Sequence, residues 1–248
     1  MATDKLSLGD RMKGYERVWN TTLPGRMPVI IRLDGKAFHS YTHGAEKPFD
    51  DKLMKVMDEA AIEVMKEISG CMLSYVQSDE VSILINSYRS LNELPWFANE
   101  LPKMLSVSAG MMSAHFTARS HEIFDKTKVA VFDSRVFVLP ESDVNNYFIW
   151  RQRDCIRNSI NTIAREYFSQ KQLFKKNTDD VKKMLLEKDV DLEDQLAWEP
   201  YYTRGRCILK KPKEISPGLS RNVWAVDRKI PSFVEDRDYV SNFVTKED

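Results

Sequence analysis

Asp34 and Asp79 are the residues from which a reaction can be built. Asp34 directly follows an apolar run, residues 27–33 (MPVIIRL), and precedes Gly35. Asp79 lies in the short polar stretch Ser78-Asp79-Glu80, between two further apolar runs at residues 71–77 and 81–85. Carboxylates and a nearby backbone carbonyl, such as that of Gly35, are hard oxygen donors suited to Mg²⁺. Two such ions bridged by a carboxylate pair clamp the attacking and leaving oxygens of phosphoryl transfer. Asp-Gly and Ser-Asp are also common turn pairs, in which the carboxylate only satisfies turn amides. The two readings differ in whether the acids meet, because adjacent carboxylates repel unless a cation or a proton intervenes.

The loop after Asp34 carries Lys36, His39, His43 and Lys47. Cations near a metal–phosphate site neutralise triphosphate oxygens, and each taken alone is equally an ordinary loop residue. Arg32 falls inside the first apolar run, where a cation needs a partner; a carboxylate or a phosphate would serve.

The surrounding pattern says how these residues are positioned. Residues 27–33 are rich in β-branched side chains and read as a buried strand. Asp50 reads as a helix N-cap, and Leu53, Met57, Ala60, Val64 and Ile68 recur at helical spacing behind it. Gly70 suits the helix end. The runs at 71–77 and 81–85 form a hairpin about Ser78-Asp79-Glu80. Residues 102–121 read as a second helix and 128–139 as a strand. A long helix starts near Ser142-Asp143, a charged amphipathic segment covers 177–187, and one more strand is expected over 201–209. No periodic element is expected beyond residue 217.

The order strand, helix, strand, strand, helix, strand predicts an α+β fold, a ferredoxin-like βαββαβ antiparallel sheet with helices on one face. In such a sheet the first and third strands are neighbours, so Asp34 and Asp79 should converge at one edge. Residues 1–140 are expected to form this catalytic region and 141–248 a helical C-terminal extension with RNA-contacting elements.

Composition sets the limits. The chain has 248 residues, 30% of them charged, with 9 Gly and 10 Pro, which is a globular profile. No uncharged apolar stretch of about 18 residues exists, so no membrane span is expected. The first residues lack an apolar signal core. Three widely spaced cysteines, Cys71, Cys155 and Cys207, point to reduced thiols and a cytoplasmic setting. Lys and Arg (37) balance Asp and Glu (37), so any nucleic-acid surface must be local. Two basic groups qualify: Arg151, Arg153 and Arg157 on the long helix, and Arg204, Arg206, Lys210, Lys211 and Lys213 around Tyr201 and Tyr202. A solvated face is the plainer explanation of either.

Six motifs in order carry a family resemblance: RLDGKAFH (32–39), KPFD (47–50), YVQSDE (75–80), FDSR (132–135), WRQRDC (150–155) and YTRG (202–205). Together they resemble the tRNA-histidine guanylyltransferases and their guanylyltransferase-like relatives, the 3′-to-5′ polymerases. The resemblance implies a polymerase-palm-like fold and two Mg²⁺ ions held by Asp34, Asp79 and the Gly35 carbonyl, with Asp34 and Asp79 catalytic. It also implies a nucleotide site formed by Asp34, Gly35, Lys36, Ala37, Phe38, His39, Lys47, Asp50, Ser78 and Asp79. The implied reaction activates a tRNA 5′-phosphate with ATP or GTP, after which the 3′-hydroxyl of an incoming nucleotide attacks. A homotetramer is the usual assembly, and Arg151, Arg153, Arg157, Arg204, Lys210 and Lys211 are candidate tRNA contacts.

After Asp154-Cys155 the family's histidine-specific members carry HINNLYN; here the stretch is IRNSINT. That departure resembles the guanylyltransferase-like branch, which repairs truncated tRNA 5′ ends by templated addition. Strict addition of G to histidine tRNA stays open, as does a palm-type nucleotide cyclase that uses the same metal pair without tRNA. A ferredoxin-like RNA-binding module is disfavoured, because residues 29–33 and 81–85 contain no aromatic on which a base would stack.

Overall fold

The computed structural model describes residues 6–90, 92–124, 128–192, 199–216 and 218–244. Helix α1 (Leu8–Arg17) precedes strand β1 (Val29–Gly35), a short helix α2 (Phe38–Tyr41) and helix α3 (Asp51–Glu67). Strands β2 (Cys71–Gln77) and β3 (Glu80–Ile85) form the hairpin, followed by α4 (Leu101–Phe124), β4 (Phe132–Val138) and α5 (Glu141–Tyr167). Then come α6 (Gln170–Leu173), α7 (Thr178–Leu186), α8 (Pro200–Arg204), β5 (Arg206–Ser216), β6 (Leu219–Asp227) and α9 (Asp238–Ser241).

The strands form one antiparallel sheet in the order β4-β1-β3-β2-β5-β6. The first four follow the βαββαβ succession expected from sequence, with β1 and β3 innermost among them. Two differences stand out. Helices cover both faces of the sheet rather than one. Residues Ile31, Leu33, Ile83 and Phe132 pack with α3 and α4 on one side. Ile30, Tyr75 and Leu84 pack with Val144 and Phe148 of α5 on the other. That two-sided burial explains why residues 27–33 are apolar without alternation. The second difference is the C-terminal hairpin. Tyr201 falls in α8, the strand expected over 201–209 begins at Arg206 as β5, and β6 adds a further strand beyond residue 217, where no periodic element is expected. The segment Leu219–Asp227 has no fully buried residue, and only Trp224 and Val226 near its end pack partly against the core, so its apolar alternation is too short to stand out in sequence.

Asp50 caps α3 as expected: its Oδ1 accepts from the Lys52 and Leu53 amides at 2.9 and 3.0 Å, and its Oδ2 from the Glu46 amide. Among the described residues no helix is long and apolar enough to cross a membrane.

Candidate functional site

Register brings the acids together. Asp34 pairs with Glu80 across β1–β3 and with Asp133 across β1–β4. The Gly35 amide donates to the Asp79 carbonyl at 3.1 Å, tying the loop after β1 to the β2–β3 turn. Ser78, with φ of +45°, makes that turn tight enough for Gln77 and Glu80 to pair. Gly35 has to be glycine: a Cβ there would lie 2.2 Å from the ring of Phe38. Phe38 is buried against Tyr41, Phe116 and Phe132, so the loop is clamped from beneath.

Asp34 and Asp79 line one cleft of about 720 Å³ that also takes in His39, Lys47, Ser78, Trp150 and Arg151. Burial, followed by the charges of Asp34 and Glu80, pushes Asp79 up to about 6. Burial, Glu80 and Asp133 likewise raise Asp34. Two partly buried carboxylates, each raised by burial and by neighbouring acids, form a place where a cation is favoured. Among the described residues no group of three His, Cys, Asp or Glu side chains is arranged around one point. The set is two carboxylates with a neighbouring carbonyl, and that fits a hard ion that keeps water or phosphate oxygens in its remaining positions.

The third acid, Glu80, is held by arginines. Arg151 donates from Nε to Glu80 Oε1 and from Nη2 to Glu80 Oε2, both at 2.7 Å, and Nη2 also reaches Asp154 at 2.9 Å. Arg32 Nε lies 3.9 Å from Glu80, so the strand cation found a carboxylate. Trp150 stands over both guanidinium groups, at 4.4 Å from Arg151 and 5.8 Å from Arg32. Sequence reasoning missed Glu80 as part of this network. The available signal was that Glu80 opens β3 directly opposite Asp34.

The other expected site residues divide. His39, Lys47 and Ser78 are exposed and line the cleft. Lys36 and Ala37 are exposed outside its lining, Ala37 with φ of +54° at the start of α2. Asp50 lines the cleft but spends both oxygens on backbone amides. Arg151 is buried, its guanidinium committed to Glu80 and Asp154, so it is not at the surface where an RNA contact was expected. Arg153 and Arg157 are exposed beside Trp150 around a separate recess of about 300 Å³. The second basic group is scattered. Arg206 is buried in an ion pair with Asp58, and Lys211 pairs with Asp227 at 3.4 Å. Because Leu209 pairs with Leu73 near the start of β2, Lys210 and Lys211 lie toward the opposite sheet edge from Asp79.

Asp79 gives a pH signature without any ligand. Its pKa in the folded state, about 6, exceeds the ordinary value of 3.8, so the folded protein binds the proton more tightly. The stabilising contribution is complete below pH about 4 and lost as pH rises through about 6. The metal-free Asp79→Asn variant should therefore melt above wild type at pH 7 and level with it at pH 4, measured by calorimetry. Equal melting temperatures at both pH values would remove the argument for a strained carboxylate pair.

Comparison with known proteins adds the following. Residues 9–140 match the family described as Thg1, tRNAHis guanylyltransferase. A bacterial tRNA(His) guanylyltransferase (Thg1)-like protein solved in complex with ATP is 42% identical, with a TM-score of 0.89 over 97% of this chain and 100% of that one. A bacterial Thg1-like protein in complex with GTP is 39% identical, with a TM-score of 0.81 over 96% of this chain and 99% of that one. The tRNA(His) guanylyltransferase of Debaryomyces hansenii is 34% identical over 61% of this chain and 58% of its own length. The chain spans about half the length of the curated guanylyltransferases it matches.

Proposed function

The chain belongs to the Thg1 family of tRNAHis guanylyltransferases, and from that premise we propose that it is a nucleotidyltransferase that extends RNA 5′ ends in the 3′-to-5′ direction. In this reading the sheet is a polymerase-like palm, the substrate is a tRNA, and the assembly is a homotetramer. The observation that carries it is Asp34 and Asp79 facing one cleft beside His39, Lys47 and Ser78. The full-length similarity to bacterial proteins solved with ATP and with GTP supports a triphosphate there.

Asp34, Asp79 and the Gly35 carbonyl would hold two Mg²⁺ ions, which when bound supply charge neutralisation at the phosphoryl oxygens. Lys47 and His39 stand where they can take the remaining phosphate charge, and the Ser78 hydroxyl a phosphate oxygen. Arg151 orients Glu80 and offsets part of its charge, which reduces the repulsion a third negative centre would exert on the substrate. The substrate's own hydroxyl is the nucleophile, so the protein contributes positioning and electrostatics. Two side chains of the cleft wall agree with that. Burial pushes the Cys155 thiol up to about 11, so it stays protonated at neutral pH. Ser159 Oγ is engaged with the carbonyls of Cys155 and Tyr202.

Templated repair and strict addition of G to histidine tRNA share this chemistry. IRNSINT at residues 156–162 favours repair, and the names of the curated relatives favour histidine tRNA. The test offers 5′-monophosphorylated tRNAs, intact or lacking their first nucleotide, with each triphosphate and Mg²⁺. Truncated tRNAs are expected to gain the nucleotide complementary to the opposite strand. Exclusive addition of G to histidine tRNA would decide for the alternative, and a cyclic product from GTP without tRNA would overturn the reading.

A further inference from the structure

A second cavity of about 660 Å³ adjoins the cleft. Asn161 and Arg165 from α5, Leu173 from α6, Phe174, Lys175 and His39 line it. His39 and Arg165 line both cavities, so one extended ligand can run from one into the other. The two spaces differ in charge. The cleft holds Asp34, Asp79, Glu80 and Asp154, whereas no acidic side chain lines the second cavity among the described residues.

The corner that presents Phe174 is built rather than loose. A capping box between Ser169 and Gln172 fixes the start of α6. Leu173 packs against the cluster of Ile160, Ile163, Val181 and Leu185. Lys175 then takes φ of +61°, a left-handed conformation costly for a residue with a Cβ, and the Lys176 amide closes the turn on the Leu173 carbonyl at 3.1 Å. The result holds Phe174 69% exposed, with the Lys175 ammonium 5.5 Å from its ring. An aromatic ring kept in solvent among cations and without acids has the chemistry to take a base on its face and a phosphate beside it.

We infer that this cavity binds one unpaired nucleotide of the RNA substrate, its base stacked on Phe174 and its phosphate against Arg165 and Lys175. The inference rests on the reading of the main cleft given above. With the RNA 5′ end in that cleft, the nearest unpaired nucleotide belongs to the single-stranded tail opposite it. The interior bases of a duplex are already stacked on one another, whereas an unpaired nucleotide is free to splay its base onto Phe174.

Fluorescence anisotropy with a 5′-phosphorylated RNA stem bearing an unpaired 3′ tail, and with its blunt-ended counterpart, tests this. Wild type is expected to prefer the tailed RNA. Phe174→Ala should weaken tailed RNA about tenfold and leave blunt RNA unchanged, as loss of one stacked base predicts. Phe174→Trp should restore the preference, and the KM for free ATP should not move in any variant. Equal losses on both RNAs, no loss on either, or a raised KM for free nucleotide with RNA binding intact would each overturn the assignment. If Phe174→Ala is silent while the wild type still transfers nucleotides to RNA, this inference alone falls. If the protein binds no RNA, the reading of the main cleft falls with it.

Discussion

Replacing Asp79 with asparagine is expected to lower nucleotide transfer about a thousandfold or more while the protein stays folded. The side chain barely changes in size, so the β2–β3 turn keeps its geometry: the Asp79 carbonyl still accepts from Gly35. What disappears is one of the two negative charges that, in the proposed reading, would hold Mg²⁺ beside the substrate phosphates. A thousandfold loss corresponds to about 4 kcal/mol, within the range expected when charge stabilisation at a phosphoryl centre is removed. Steady-state assays of 5′ activation and of nucleotide addition should fall together if, as proposed, both steps use the same pair of acids. Full activity in either step would reject the assignment of Asp79.

The largest effect on stability is expected away from the cleft, at Arg206. Its side chain is fully buried; Nε binds Asp58 and Nη2 donates to the Met54 carbonyl at 3.0 Å, pinning the start of β5 to α3. Asp58 Oδ2 and Arg206 Nη1 have no hydrogen-bond partner, and burial leaves Asp58 raised despite the guanidinium. Such a pair contributes little net stability, yet removing one member strands the other. Arg206→Ala should cost about 3–5 kcal/mol, which for a chain of this size lowers the melting temperature by about 10 °C. The double variant Asp58→Leu, Arg206→Met should recover most of that loss, because apolar groups of similar volume replace the pair without desolvating a charge. A double variant as unstable as the single would show that the pair itself is the stabilising element.

These two residues also mark what the sequence makes legible. Asp79 could be located because it depends on local rules: β-branched runs, a polar hairpin turn and the neighbour relation of first and third strands. Arg206 could not, because its role depends on α3, which is distant in the chain. In sequence it looks like one member of a basic cluster with Arg204 and Lys210, and only the fold separates a core cation from surface ones. Arg151 was obscured in the same way. On a helix its charge suggests solvent, but α5 lies across the sheet and turns that guanidinium onto Glu80. Charged side chains that are buried as pairs have no hydrophobic periodicity to reveal them, whereas Asp34 and Asp79 are announced by the apolar strand runs beside them.

The strand order has a consequence for how the protein fails under heat. Asp34 lies next to the end of β1 and Asp79 immediately precedes β3, and both strands are bonded to neighbours along both edges. Their amides should be among the slowest to exchange with deuterium, because opening them requires the whole sheet to come apart. Fraying of α1, which buries no residue, leaves the carboxylates where they are. Thermal inactivation should then coincide with the global melting transition rather than precede it.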